Sequence, residues 1–416
     1  MTCSLSKLKN TLLLFLFALT SCANQSKYKQ QSGSNNNEDT TPIVAEELTV
    51  GAAQTAAYFP LLKGKSIAIV ANQTSVIFKE NGYTHLIDSL LSRAITIKKV
   101  FAPEHGFRGK VDAGKKVQDG IDAKTGLPII SLYGANRKPT KKQLHDIDVI
   151  LFDIQDVGVR FYTYIATLQL VMEACAENNI PLIILDRPNP NAHYVDGPTM
   201  EKQHTGFLGM TTIPLVYGMT IGEYAQMINE EGWLNAKEKA TVTIVPVKNW
   251  KRTSSYHLPI RPSPNLPNDL AINLYPSLGL FEGTNINAGR GTEFQFQRYG
   301  ASFLDSIQYN FSYIPISNFG AKYPKEQNKK CYGVDLSMTP KMSSVSLRWL
   351  LDAYKNSVKS DTFFLTAGFT KHAGTATLQK QIEAGFTEEE IRVTWQKDIS
   401  SFLKIREKYL FTAYNP

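Results

Sequence analysis

Cysteine is scarce, with four in 416 residues. Cys3 and Cys22 fall in the amino-terminal stretch, which leaves Cys175 and Cys331 for the body. That excludes a disulfide framework but not a single bridge; two buried thiols are the expectation. The chain has no dense Lys/Arg run with interleaved aromatics. Its formal charge of +8 therefore argues for no nucleic-acid partner. A mild positive excess keeps a protein soluble and suits an anionic partner. No Gly-x-Gly-x-x-Gly turn follows the first predicted strand, where Asn72-Gln73-Thr74 stands instead, so a dinucleotide cofactor is unsupported. No His-x-x-x-His pair and no dense Asp loop is present. The one set of metal-ligand types worth weighing is His105, Asp153, Asp156 and Asp186. The expectation is no metal and no cofactor.

What the chain does contain begins with an address. Lys7 and Lys9 precede the apolar run Leu12-Leu-Leu-Phe-Leu-Phe-Ala-Leu19, far short of the ~20 residues that cross a bilayer. Basic start and short apolar run together fit a secretory signal over residues 1–22. The run ends in Leu19-Thr-Ser-Cys22, which resembles a lipoprotein lipobox and implies cleavage before Cys22 and acylation of that cysteine. Residues 23–47 are mostly polar and read as a flexible tether. Anchor and tether together place the body at a membrane face of the cell envelope.

In the body, β-branched apolar runs at 66–71, 97–102, 129–132, 147–154, 180–185 and 241–247 read as strands. Helical patterns cover 84–93, 163–178 and the stretch opened by the capping box Thr220-Ile-Gly-Glu223. Alternating strands and helices, with strands that are near-continuous apolar runs, predict an α/β fold with a mostly parallel sheet covered on both faces. Residues 251–300, rich in Pro, Asn and Gly, read as a long connection laid over a cleft. Helical patterns at 343–354 and 387–409 then place a smaller α+β domain over 301–416, after the α/β domain over 48–300.

Position carries the functional reading. In open α/β sheets, ligands bind beyond the carboxyl ends of the strands. There the chain sets Asn72, then Glu104-His105 with Arg108, then Asp153, Gln155, Asp156, Arg160 and Tyr162, then Asp186 and Asn189. These are expected to converge in one site. The Gly-punctuated stretch Phe281-Glu282-Gly-Thr-Asn285-Ile-Asn-Ala-Gly-Arg290 adds Glu282, Asn285 and Arg290. Glu104 is the candidate general acid and Glu282 the candidate second carboxylate. The arginines offer guanidinium forks for a carboxylate, or brace the same aspartates. The 21 Phe and 19 Tyr exceed what packing alone demands, and sugar sites use such rings as platforms.

Several of these motifs occur together and in order: Pro103-Glu-His-Gly-Phe-Arg-Gly109, Phe152-Asp-Ile-Gln-Asp-Val-Gly158 with Arg160-Phe-Tyr-Thr-Tyr164, Asp186-Arg-Pro-Asn-Pro190, and Glu282-Gly-Thr-Asn285 with Gly289-Arg-Gly-Thr292. In this they resemble the exo-β-N-acetylmuramidase (NamZ-like) family over nearly all of 48–416. Glu293-Phe-Gln-Phe296 departs from it where a Pro is expected before the Phe. The resemblance implies a Rossmann-like larger domain over 48–300, a smaller C-terminal domain over 301–416 with a cleft between them, and removal of terminal, non-reducing β-N-acetylmuramic acid from peptidoglycan fragments. It also implies Glu104 as the catalytic carboxylate. Retaining chemistry (carboxyls about 5–5.5 Å apart) and inverting chemistry (about 6.5–9.5 Å) both stay open. So does assistance by the substrate acetamide, oriented by Asp153 or Asp156. The lactyl carboxylate of muramic acid calls for Arg108, Arg160 or Arg290. The rivals are a sugar-binding envelope lipoprotein without turnover and a metal-dependent hydrolase.

Overall fold

The computed structural model describes residues 47–108, 119–358 and 362–415. Cys22, the signal-like segment, the tether before Glu47 and Gly109 lie outside them. Helix α1 (Thr55–Leu62) leads into β1 (Ser66–Ala71), a hairpin of β2 (Val76–Lys79) and β3 (Gly82–His85), α2 (Leu86–Leu91) and β4 (Thr96–Ala102). Then come β5 (Gly120–Ile121), β6 (Pro128–Ser131), α3 (Lys141–Leu144), β7 (Val149–Asp153), α4 (Tyr164–Asn178), β8 (Leu182–Leu185), α5 (Ile221–Glu230) and β9 (Val242–Val245).

These strands form one seven-stranded sheet in the order β5-β6-β4-β1-β7-β8-β9. All neighbours are parallel except the short edge strand β5. Numbered along the chain, the parallel strands run 3-2-1-4-5-6, the doubly wound dinucleotide-fold order. Alternate residues of β1 enter different cores. Ala68 and Val70 pack with α4 and α5 on one face, while Ile67, Ile69 and Ala71 pack with Tyr58 and Leu62 of α1 and with α2 on the other. Burial of both faces is why the strands lack polar alternation. Each buried Ile, Leu or Val contributes about 1.5–3 kcal/mol. The predicted capping box is present: Thr220 Oγ1 accepts from Glu223 N and Glu223 Oε2 accepts from Thr220 N.

The later part holds α6 (Asp269–Leu278), the antiparallel sheet β10 (Arg298–Ala301), β11 (Phe311–Tyr313) and β12 (Cys331–Asp335), and helices α7 (Arg348–Lys355), α8 (Thr366–Ala373), α9 (Thr377–Glu383) and α10 (Glu388–Arg406). Two expectations need correction. Residues 251–300 are not a plain connection: Asn268 caps α6 by accepting from Ala271 N, and Ala271, Ile272, Leu274 and Leu278 are buried. Residues 84–85 belong to the β2–β3 hairpin and not to a helix. Cys175 and Cys331 are free and buried, as expected.

In a doubly wound sheet the crevice between β1 and β7 is the usual ligand site. Here the protein fills it with its own hydrogen bonds. Asn72 Nδ2 donates to Tyr164 Oη (3.0 Å), Asn72 Oδ1 accepts from Thr74 Oγ1 (2.6 Å), and Gln155 N donates to Thr74 Oγ1 (3.0 Å). Ser75 Oγ donates to the Asp153 carbonyl. With the switch point occupied, the open space lies to one side, beyond β4 and β6.

Candidate active site

A cavity of about 700 Å³ opens there. Strand β4 ends at Ala102, and the next turn carries Glu104. Gly106 N donates to the Pro103 carbonyl (3.0 Å), and His105 and Gly106 both take left-handed conformations (φ 69° and 76°). For His105 that conformation is sparsely populated and persists only where the surroundings enforce it; the residue is buried at the cavity wall. Thr163, just before α4, donates through Oγ1 to Glu104 Oε2 (3.0 Å). Tyr133, in the loop after β6, hydrogen-bonds the same carboxylate. Burial, then the charge and hydrogen bond of Glu104, push its phenol up.

Glu282 lies on the same cavity in a 3-10 turn after α6. Arg290 Nη1 donates to its Oε2 (2.8 Å). Burial works to raise the Glu282 pKa, but the charges of Arg290 and Lys325 outweigh it and hold the carboxyl below its ordinary value. Lys325 is fixed by donating to the carbonyls of Phe281 (2.9 Å), Glu282 (2.9 Å) and Thr284 (2.6 Å). Helix α8 brings His372 to the cavity because Gly283 lets it approach: a Cβ on Gly283 would stand 2.3 Å from Phe369 Cα. His372 Nδ1 pairs with the Gly368 carbonyl (2.9 Å), so it carries the proton and Nε2 is the acceptor. Burial lowers the His372 pKa and keeps the ring neutral.

Aromatic rings form one wall. Tyr275 meets Phe161, Tyr162 and Phe296 edge-on, with centroids 5.1, 6.1 and 4.7 Å away. Phe207, at the tip of a turn closed by mutual Gly206–Gly209 backbone hydrogen bonds, adds a ring at the mouth. This mix of apolar faces and a few convergent polar groups suits a sugar ring.

Of the residues expected at the site, Glu104, His105, Tyr162, Glu282 and Arg290 line the cavity. The others do not, and each has a physical reason. Asn72 is buried in the crevice network above. Arg108 forms a fork with Asp122 (3.1 and 2.6 Å) and lies over the Phe107 ring. Asp153 is fully buried in a fork with Arg187 (2.6 and 2.9 Å). Gln155 donates to the Asp156 and Pro188 carbonyls, both at 2.7 Å. Asp156 accepts from Tyr217 Oη and from Gly158 N; burial pushes its pKa up to about 6. Asp186 accepts from Gly222 N (2.9 Å) at the start of α5 and from Tyr414 Oη (2.8 Å), and burial pushes it up to about 7. Asn189 donates to the Met219 carbonyl (2.8 Å). Asn285 pairs with Thr362 and Phe363 across the backbone.

Arg160 is a special case. It is buried without a carboxylate and donates to four carbonyls: Pro198 (2.6 Å), Ile213 (2.9 Å), His372 (3.0 Å) and Ala373 (2.7 Å). The last two are at the carboxyl end of α8, where the helix dipole favours a cation. Burial lowers its pKa to about 9, which leaves it charged at neutral pH. His105, Asp153, Asp156 and Asp186 are thus not gathered as metal ligands; among the described residues no group of three or more His, Cys, Asp or Glu is.

With this geometry in place, the family can be stated. Models of the N-terminal and C-terminal parts of exo-β-N-acetylmuramidase NamZ match residues 67–270 and 273–411. This chain belongs to the NamZ family. The peptidoglycan β-N-acetylmuramidase NamZ of Bacillus subtilis (strain 168) is 39% identical over 372 residues, covering 85% of this chain and 88% of that protein. Crystal structures of two DUF1343-family proteins of Bacteroides fragilis NCTC 9343 share the fold. One has a TM-score of 0.81 and 43% identity, covering 89% of this chain and 99% of its own. The other has 0.75 and 27%, covering 88% and 98%.

In this NamZ-family chain, the sequence reading missed Tyr133, Arg137, Tyr275, Lys325 and His372. None sits in a motif that announces chemistry. The loop after the strand at 129–132 was the one signal at hand for Tyr133 and Arg137, since it too follows the carboxyl end of a strand.

Proposed function

We propose that this chain is an exo-acting glycoside hydrolase that releases terminal, non-reducing β-N-acetylmuramic acid from peptidoglycan fragments. The observation that carries the mechanism is one aromatic-walled cavity lined by two carboxyl groups in unlike surroundings. Glu282 is held as a carboxylate by Arg290 and Lys325, so it is the group that faces developing positive charge at the anomeric carbon or activates water. That leaves Glu104, positioned by Thr163 and Tyr133, to protonate the departing glycosidic oxygen. Asp153 and Asp156 lie off the cavity, which weighs against their orienting a substrate acetamide. The test incubates full-length protein with chromogenic β-N-acetylmuramide and β-N-acetylglucosaminide, with and without chelator. Release from the muramide alone, unchanged by chelator, is expected. No release from either by folded protein would favour a sugar-binding role, and loss on chelation a metal enzyme.

We also propose that Cys22 is lipid-modified and holds the enzyme at a membrane face of the cell envelope. The basic start, short apolar run and Leu19-Thr-Ser-Cys22 support this. Cys22→Ser is expected to move the protein from the membrane fraction to the soluble fraction; unchanged fractionation would refute the anchor.

A further inference from the structure

The basic side chains on the cavity wall are Arg137, His204, Arg290, Lys371 and His372. Three are accounted for. Arg290 is paired with Glu282, His372 is kept neutral by burial, and His204 lies 3.5 Å from Glu201. Among the described residues, Arg137 and Lys371 make no ion pair. Arg137 is exposed, but it rests on an aromatic neighbour: its guanidinium lies over the Phe207 ring, 4.3 Å from the centroid. That ring tilts against Tyr133 at 6.1 Å, and Tyr133 holds Glu104. A cation over a ring face uses none of its N–H donors, so the whole fork remains for a ligand. A planar fork matches the two oxygens of a carboxylate. Lys371 is exposed and offers a point charge on a flexible stem.

The candidate substrate carries one group that fits. Muramic acid differs from glucosamine by a lactyl ether that ends in a carboxylate. Arg108, Arg160 and Arg290, which the sequence offered for it, are engaged by Asp122, by backbone carbonyls and by Glu282. We propose that Arg137, resting over Phe207 at the Glu104 side of the cavity, is the recognition site for the lactyl carboxylate and so sets the preference for muramic acid. This rests on the glycosidase reading above and deepens it.

Binding to full-length protein in detergent tests it, with N-acetylmuramic acid and its lactyl methyl ester as probes. The ester keeps the sugar and removes the charge. Wild type is expected to bind the acid at least about tenfold tighter, the scale of a charge-assisted hydrogen-bonded pair. Arg137→Met keeps apolar contact with Phe207 and is expected to bind acid and ester alike. Arg137→Lys is expected to restore part of the preference, and Lys371→Met to keep it. The proposal is overturned if Arg137→Met retains the wild-type preference, if wild type shows none, or if wild type binds neither sugar. Release of chromophore from the muramide is scored separately. Turnover without a charge preference sinks this assignment alone; a charge preference without turnover sinks the hydrolase reading alone.

Discussion

Glu104→Gln is expected to lower kcat on a natural disaccharide by about 10²–10⁴-fold, the range for a positioned general acid. The glutamine keeps an oxygen to accept from Thr163 Oγ1, so the turn after β4 stays in place and the loss is chemical. A nitrophenyl leaving group needs little protonation, and there the loss is expected to be far smaller. Comparing kcat/KM for the two substrates in wild type and variant is the decisive measurement. An equal loss on both would mean that Glu104 does something other than protonate the leaving oxygen. Unchanged turnover on both would remove it from the chemistry.

The largest expected effect on stability is at Arg187→Met. Asp153 and Arg187 face each other as a two-pronged pair with almost no solvent contact. Removing one partner strands a buried charge, which costs about 3–5 kcal/mol. The methionine also deprives the Val76 carbonyl of its donor at 3.0 Å. A double variant, Asp153→Leu with Arg187→Met, removes both charges and is expected to recover much of the loss, because replacing a buried pair with apolar side chains is often close to neutral. Urea midpoints of the three proteins check this. If the double variant is no more stable than Arg187→Met, the pair is not the cause. Because neither residue borders the cavity, variant protein that remains folded is expected to keep the wild-type KM; a large rise would return Asp153 to the substrate.

These two variants mark where sequence reading succeeds and where it stops. Glu104 and Asp153 occupy equivalent places, each a carboxylate at the carboxyl end of a central strand. Strand position is legible in the pattern of apolar runs, and so the sheet, its coverage on both faces and the set of polar strand ends could be read from it. Whether an acid faces open space depends on its partner. Arg187 lies 34 positions beyond Asp153, and nothing local says that the two meet. The same holds for Arg108 and Asp122. Glu282 was visible because its loop is polar and punctuated by glycine. His372 and Lys325 were not: His372 comes beside Glu282 because α8 closes over Gly283, and Lys325 reaches in from a separate loop to the Phe281, Glu282 and Thr284 carbonyls. Helix α6 was hidden by composition: Pro276 lies within it, and Pro and Asn surround its start.

The cage around Arg160 has a consequence for how a substrate enters. The cation draws carbonyls from Pro198, Ile213 and the end of α8 to one point. To pull α8 away from the 198–213 stretch would strip the guanidinium of two of its four carbonyl partners, so that seam resists opening. The Phe207-Leu208 tip is held as well, closed by the mutual Gly206–Gly209 backbone hydrogen bonds. The mould therefore has its shape before a glycan arrives. A glycan end enters a shape already set, and little of its binding energy is diverted to assembling the wall.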